Sequence, residues 1–100
     1  MILVFTTFSD KKEAHNLGHK LLEKKLIACY NLIPAEAAYW WEQKIVDEKE
    51  FLMIIKTNKN FETVKKFITE YHGDDTPEII GVETKKVGEK YLKWLKDITC

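Results

Sequence analysis

His72, Asp74, Asp75 and Glu78 fall within one short stretch, HGDDTPE. An imidazole beside three carboxylates is a mixed nitrogen and oxygen donor set, suited to a divalent ion, though its spacing matches no diagnostic metal motif. A plain surface histidine, favoured by the negative end of a preceding helix, accounts for His72 equally well. Cys29 offers a thiolate, a soft metal ligand, but it lies in an apolar run where cysteine ordinarily serves as a small hydrophobe. His15 and His19 share a helix face at i and i+4, away from the centre of its apolar stripe. They read as solvated surface histidines, with chelation of a surface metal as the alternative. No motif marks a Ser-His-Asp or Cys-His pairing, and no glycine-rich phosphate loop is present. The chain therefore reads as a binding or signalling module and not as an enzyme.

Composition narrows this further. The 100 residues fit one domain, spanning 1–100, able to bury a single core with little to spare. Sixteen basic and sixteen acidic residues cancel, so no long-range field directs the chain to nucleic acid or to an anionic membrane. Every base is lysine; without arginine there is no bidentate fork for phosphate or carboxylate. The opening MILVFTTFSD lacks a basic leader, and its apolar run is too short for a signal peptide or a membrane span. Cys29 and Cys100 make no disulfide framework, and Cys100 is expected at a frayed, thiol-reactive end. These features together lead us to expect a cytoplasmic, reduced protein.

Positioning falls to a clear order of elements. Ile2–Thr7 is apolar and β-branched, a strand, and Ser9 or Asp10 then caps a helix, Asp10 with Glu13 fitting a capping box. Ala14, Leu17, Gly18, Leu21 and Leu22 form its buried stripe. Leu26–Ile33 reads as a strand ended by a kink or bulge at Pro34. Ala37–Val46 resumes it, Asp47-Glu48-Lys49 turns, and Phe51–Thr57 runs back through FLMII, whose continuous apolar run suits a central strand. Asn58 or Asn60 caps a second helix with Phe61, Val64, Phe67, Ile68 and Tyr71 inward. Glu78–Lys85 is a fourth strand, and a last helix follows Gly88 with Tyr91, Trp94, Leu95 and Ile98 on one side. This is an α+β chain with the ferredoxin-like order β-α-β-β-α-β, extended by a C-terminal helix and a long β-hairpin. Both helices cover one face of the sheet, and the other face is left bare.

The hairpin poses a packing problem. In an extended strand Trp40 points to one face, Tyr39 and Trp41 to the other. Each large aromatic buries about 150–250 Å², so three left exposed would make a patch of roughly 450–750 Å². That is at or beyond the largest patch on ordinary monomers. Another subunit is the favoured cover, and the charge-rich DEKE at 47–50 reads as the solvated hairpin tip.

The segments LIACYNLIP, YWWEQKI, FLMIIKT, the His72 to Ile80 stretch and YLKWL, in order and at matching spacing, resemble the CutA family over essentially the whole chain. The resemblance implies PII-like protomers in a tight homotrimer, with long hairpins pairing between subunits and Tyr39, Trp40 and Trp41 at the interface. It also implies a link to tolerance of divalent metals, copper above all. On that reading Cys29 joins His72, Asp74, Asp75 and Glu78 as metal ligands around an inter-subunit cleft. Trp41 and Glu42 match the family's Trp-Glu, Trp41 as interface before ligand platform. Lys56, otherwise a lysine snorkelling at the sheet edge, would face the cleft and hold an anion. The family usually reads His-Pro-Tyr-Glu before Pro-Glu-Ile; here Gly73 and Asp74 replace Pro and Tyr, removing an aromatic wall and adding oxygen donors. A copper chaperone of this topology would need a CxxC pair in the first loop, and an RRM would need aromatics on its third strand; neither is present. Two functions follow as expectations: a copper-responsive binding trimer, or a PII-like sensor relaying a small anionic metabolite to a protein partner. A bare trimeric scaffold is the third.

Overall fold

The structure, a computed structural model, describes residues 1–99, and Cys100 lies outside them. Strand β1 (Ile2–Phe8) leads to helix α1 (Lys11–Glu23), then β2 (Cys29–Trp41), β3 (Lys44–Thr57), α2 (Phe61–Tyr71), β4 (Ile79–Glu83) and α3 (Glu89–Ile98). The four strands form one antiparallel sheet in the order β2-β3-β1-β4. The two most apolar strands therefore sit in the middle, as expected for this α+β topology.

Register decides which side chains meet. Val4, Ile55 and Tyr30 align across β1, β3 and β2, on the face that α1 and α2 cover. There Val4, Phe8, Met53 and Ile55 join Ala14, Leu17, Leu21, Val64, Phe67 and Ile68 in the core. Gly81 of β4 faces the same layer; a Cβ there would lie 2.5 Å from the Phe61 ring, so glycine lets α2 seat closely. Asp10 caps α1 by accepting from the Lys12 amide at 3.2 Å, and Asn60 caps α2 by accepting from Thr63 at 2.8 Å. Glu13 does not close a capping box; its carboxylate accepts from the Gly73 amide instead. At the other end of α1, Lys25 takes a left-handed φ of 56° while its amide and that of Leu26 bond back to Leu22 and Leu21. That is a Schellman ending made without glycine.

Several expectations are corrected. Pro34 neither kinks nor bulges the chain, because β2 lies at the sheet edge, where a missing donor costs no ladder bond; pairing runs unbroken from Cys29↔Lys56 to Trp41↔Lys44. Cys29 opens β2 and does not sit mid-strand. Asp47-Glu48-Lys49 is not a turn but part of β3. The chain reverses at Glu42 and Gln43, both with positive φ (47° and 64°), the pattern of a two-residue type I′ turn whose twist matches the strands. Tyr71 is exposed, and Ile79 rather than Glu78 opens β4. The opposite face of the sheet is not wholly bare: α3 buries Leu95 completely and brings Tyr91 beside Cys29.

Pairing with β1 stops at Phe8↔Phe51, so residues 35–50 continue as a two-stranded ribbon. The ribbon stretches the molecule to 45 × 26 × 22 Å. Trp40 is 71% exposed and Trp41 51%, with Tyr39 and Ile45 also exposed. The packing problem posed by the hairpin is real within one chain.

Candidate functional site

The loop after α2 is built around His72. Its side chain is buried, stacked on Phe8 with ring centroids 4.5 Å apart. One ring nitrogen, Nε2, lies 2.7 Å from the Thr7 carbonyl, and the other, Nδ1, accepts from the Asp74 amide at 3.0 Å. Those partners assign a neutral ring with the proton on Nε2. Both nitrogens are thus engaged by backbone, and His72 positions the loop where a metal ligand was expected. The Gly73 amide, donating to Glu13 Oε1 at 2.9 Å, ties the same loop to the start of α1.

Anchored this way, residues 73–76 and Glu78 form one wall of an open cleft of about 840 Å³. The other wall is the ribbon: Glu36, Ala37, Ala38, Tyr39, Trp41, Glu48 and Glu50. Glu48 and Glu50 share a face of β3 by strand alternation, and Tyr39 reaches Glu48 diagonally across the β2–β3 pair. The cleft gathers carboxylates without a lysine among its lining residues. Burial first, and then the charges of Glu78, Glu48 and Asp74, push the Glu50 carboxyl above its ordinary value. The Tyr39 phenol is pushed up chiefly by donating to Glu48, with burial and the charges of Glu48, Glu50 and Asp74 adding to it.

Not all expected ligands meet. Asp74, Asp75 and Glu78 line the cleft together. Cys29 belongs to the other end of the sheet, aligned with Lys56 and Leu3 while His72 packs on Phe8. Strand rise alone separates the two by on the order of 13 Å or more. Among the described residues no group of three or more His, Cys, Asp or Glu side chains is placed to hold a metal ion. Lys56 does face the sheet's second side, but its ammonium donates to Asn31 Oδ1 and lies 3.9 Å from Cys29 Sγ, away from the cleft. Burial raises the Tyr91 phenol, and the adjacent Cys29 adds to the shift. Glu42 stands exposed at the hairpin turn, and Trp41 lines the cleft mouth. Glu48, Glu50 and the anchoring Glu13 were missed from sequence. The i, i+2 spacing of Glu48 and Glu50 was the available signal, hidden by taking their segment for a turn.

Among the described residues no helix is long and apolar enough to cross a membrane. A family model for the CutA1 divalent ion tolerance protein matches residues 2–98. The divalent-cation tolerance protein CutA of Pyrococcus horikoshii is 45% identical over 100 residues, covering 99% of this chain and 98% of its own. A crystal structure of CutA1 from Pyrococcus horikoshii superposes with a TM-score of 0.96 at 44% identity, over 100% of this chain and 99% of that one. The PII-like protein CutA from Nostoc sp. PCC 7120 shares the fold, with a TM-score of 0.91 at 24% identity over 100% of this chain and 98% of that one. The segments that carried the resemblance in sequence thus lie within a match of nearly full length, and the chain belongs to the CutA1 divalent ion tolerance protein family.

Proposed function

We propose that this chain is a non-enzymatic, homotrimeric module that binds a divalent cation in the carboxylate cleft between the ribbon and the His72 loop. The observation that carries the reading is the convergence of Glu48, Glu50, Asp74 and Glu78, close enough to raise the Glu50 carboxyl. A dication relieves that repulsion, and the family's description as a divalent ion tolerance protein fits such a ligand. Oxygen donors alone suit manganese, magnesium or calcium, while copper(II) stands at the top of the divalent affinity order and is the most sensitive probe. Asp74, Asp75 and Glu78 keep their expected role as ligands, joined by Glu48 and Glu50. His72 holds the loop that carries them.

The exposed Trp40, Trp41 and Tyr39 support the trimer, because a ribbon this apolar calls for a second surface to bury it. The rival reading, a small anionic metabolite, meets the wrong sign of charge in the cleft, and its one candidate cation, Lys56, is engaged by Asn31. Calorimetry of metal-stripped protein against copper, manganese, zinc and a panel of nucleotides and organic acids tests both. Saturable binding of a dication, weakened in Glu50→Gln, supports the cation reading. Saturable binding of an anion with none of any dication overturns it.

A further inference from the structure

Where the flank of α1 meets β2, a second constellation is assembled around Tyr30. A Cβ at Gly18 would lie 2.4 Å from Tyr30 Cε1, so the phenol ring rests directly on the helix backbone at a glycine. Its hydroxyl lies 2.8 Å from His15 Nδ1, and its ring meets His19 edge-on at a centroid distance of 6.0 Å. His15 and His19, one helical turn apart, hold their rings 6.3 Å apart with planes inclined by only 26°.

We propose that His15 and His19 form a chelating site for a borderline transition-metal dication of the copper(II), nickel(II) or zinc(II) class, with Tyr30 as its positioning residue. The geometry fits that chemistry. Two imidazoles bound to one ion through Nε2 have centroids at most roughly 6.4 Å apart, from a metal–nitrogen bond of about 2.1 Å plus the ring radius on each side. That limit is the linear arrangement; chelation at about 90–109° places the centroids roughly 4.6–5.3 Å apart, so the exposed His19 ring must swing in by about 1 Å from the observed 6.3 Å to close the site. Metal-bound histidines ordinarily donate their second ring N–H to an oxygen, which fixes the tautomer and the ring's orientation. Tyr30 supplies that oxygen: with Nδ1–H donating to the phenol, the Nε2 lone pair of His15 is left for the metal. Water completes the coordination shell. An all-imidazole donor set selects copper, nickel and zinc over the harder ions that suit the carboxylate cleft. The inference does not depend on that cleft.

The test uses the full chain with copper(II) added and read by electron paramagnetic resonance, alongside competition with a chromophoric chelator for affinity. Nitrogen superhyperfine structure from two imidazoles is expected in the wild type and in Glu50→Gln alike. His15→Ala or His19→Ala should each reduce it to one nitrogen and weaken affinity at least about tenfold. Tyr30→Phe keeps the ring over Gly18 and removes only the acceptor; it should weaken affinity by about 10–100-fold while two nitrogens remain. In the unmutated chain, zinc(II) should shift the Nε2 resonances of both histidines together. Wild-type spectra without nitrogen coupling, unchanged affinity in both alanine variants, or a Tyr30→Phe chain that binds like the wild type would overturn the proposal.

Discussion

His72 and Thr7 are joined by a 2.7 Å hydrogen bond from the imidazole to the last carbonyl but one of β1. That bond links the loop after α2 to the central sheet across most of the chain's length. With the Asp74 amide on Nδ1, it leaves both ring nitrogens of this histidine engaged by backbone. Replacement by alanine leaves the Thr7 carbonyl and the Asp74 amide unpaired and removes the stack on Phe8. His72→Ala should cost about 2–4 kcal/mol of stability in denaturant titration, from the orphaned groups and the lost packing. Its metal affinity should fall only as far as the loop becomes mobile. A variant as stable as the wild type would show that the ring is not anchoring the loop.

Glu50 makes a pH-dependent prediction. Its carboxyl is raised in the folded protein, so the group favours folding while protonated. That contribution is complete below the ordinary carboxylate value of the unfolded chain and is lost as pH rises through the raised folded value. Glu50→Gln stays neutral throughout. In metal-free protein at fixed concentration, it should match the wild type in acid and become the more stable of the two as pH approaches neutrality. A saturating dication should abolish or reverse the difference. A wild type more stable than Glu50→Gln at neutral pH without metal would contradict the mutual repulsion.

Most of the architecture was legible in the sequence because it is written in periodicity. The 3.6-residue stripe of α1, with Ala14, Leu17 and Leu21, and the apolar β1 and β3 gave helix and strand identities and the central pair of the sheet. The hairpin tip was not legible. A type I′ turn ordinarily announces itself with Asn-Gly, whereas Glu42-Gln43 adopts positive φ on the strength of the strands it connects. Charged residues at 47–49 looked like a turn because the ribbon has no covering layer and its side chains are solvated. That single misplacement hid Glu48 and Glu50, and with them one wall of the cleft. His72 illustrates the opposite difficulty: sequence shows a donor atom but not the carbonyl that occupies it.

Assembly is the next expectation. Sedimentation equilibrium should give about three times the 11.8 kDa chain mass at micromolar concentration. Trp40→Ala and Trp41→Ala remove aromatics that are 71% and 51% exposed in the single chain. Within one subunit such losses should be nearly neutral, so a marked fall in melting temperature, dependent on protein concentration, would report their burial against a neighbour. A wild-type monomer would contradict the trimer, and unchanged melting in both variants would remove the ribbon from its interface.

The most direct measurement is anomalous diffraction from crystals of the metal-stripped protein soaked in manganese(II), collected near the manganese edge. A peak is expected in the cleft, within about 2.0–2.6 Å of carboxylate oxygens drawn from Glu48, Glu50, Asp74, Asp75 and Glu78. The His72 ring should remain on the Thr7 carbonyl. An empty cleft at saturating manganese, or an ion seated on His72 with the Thr7 bond broken, would contradict it.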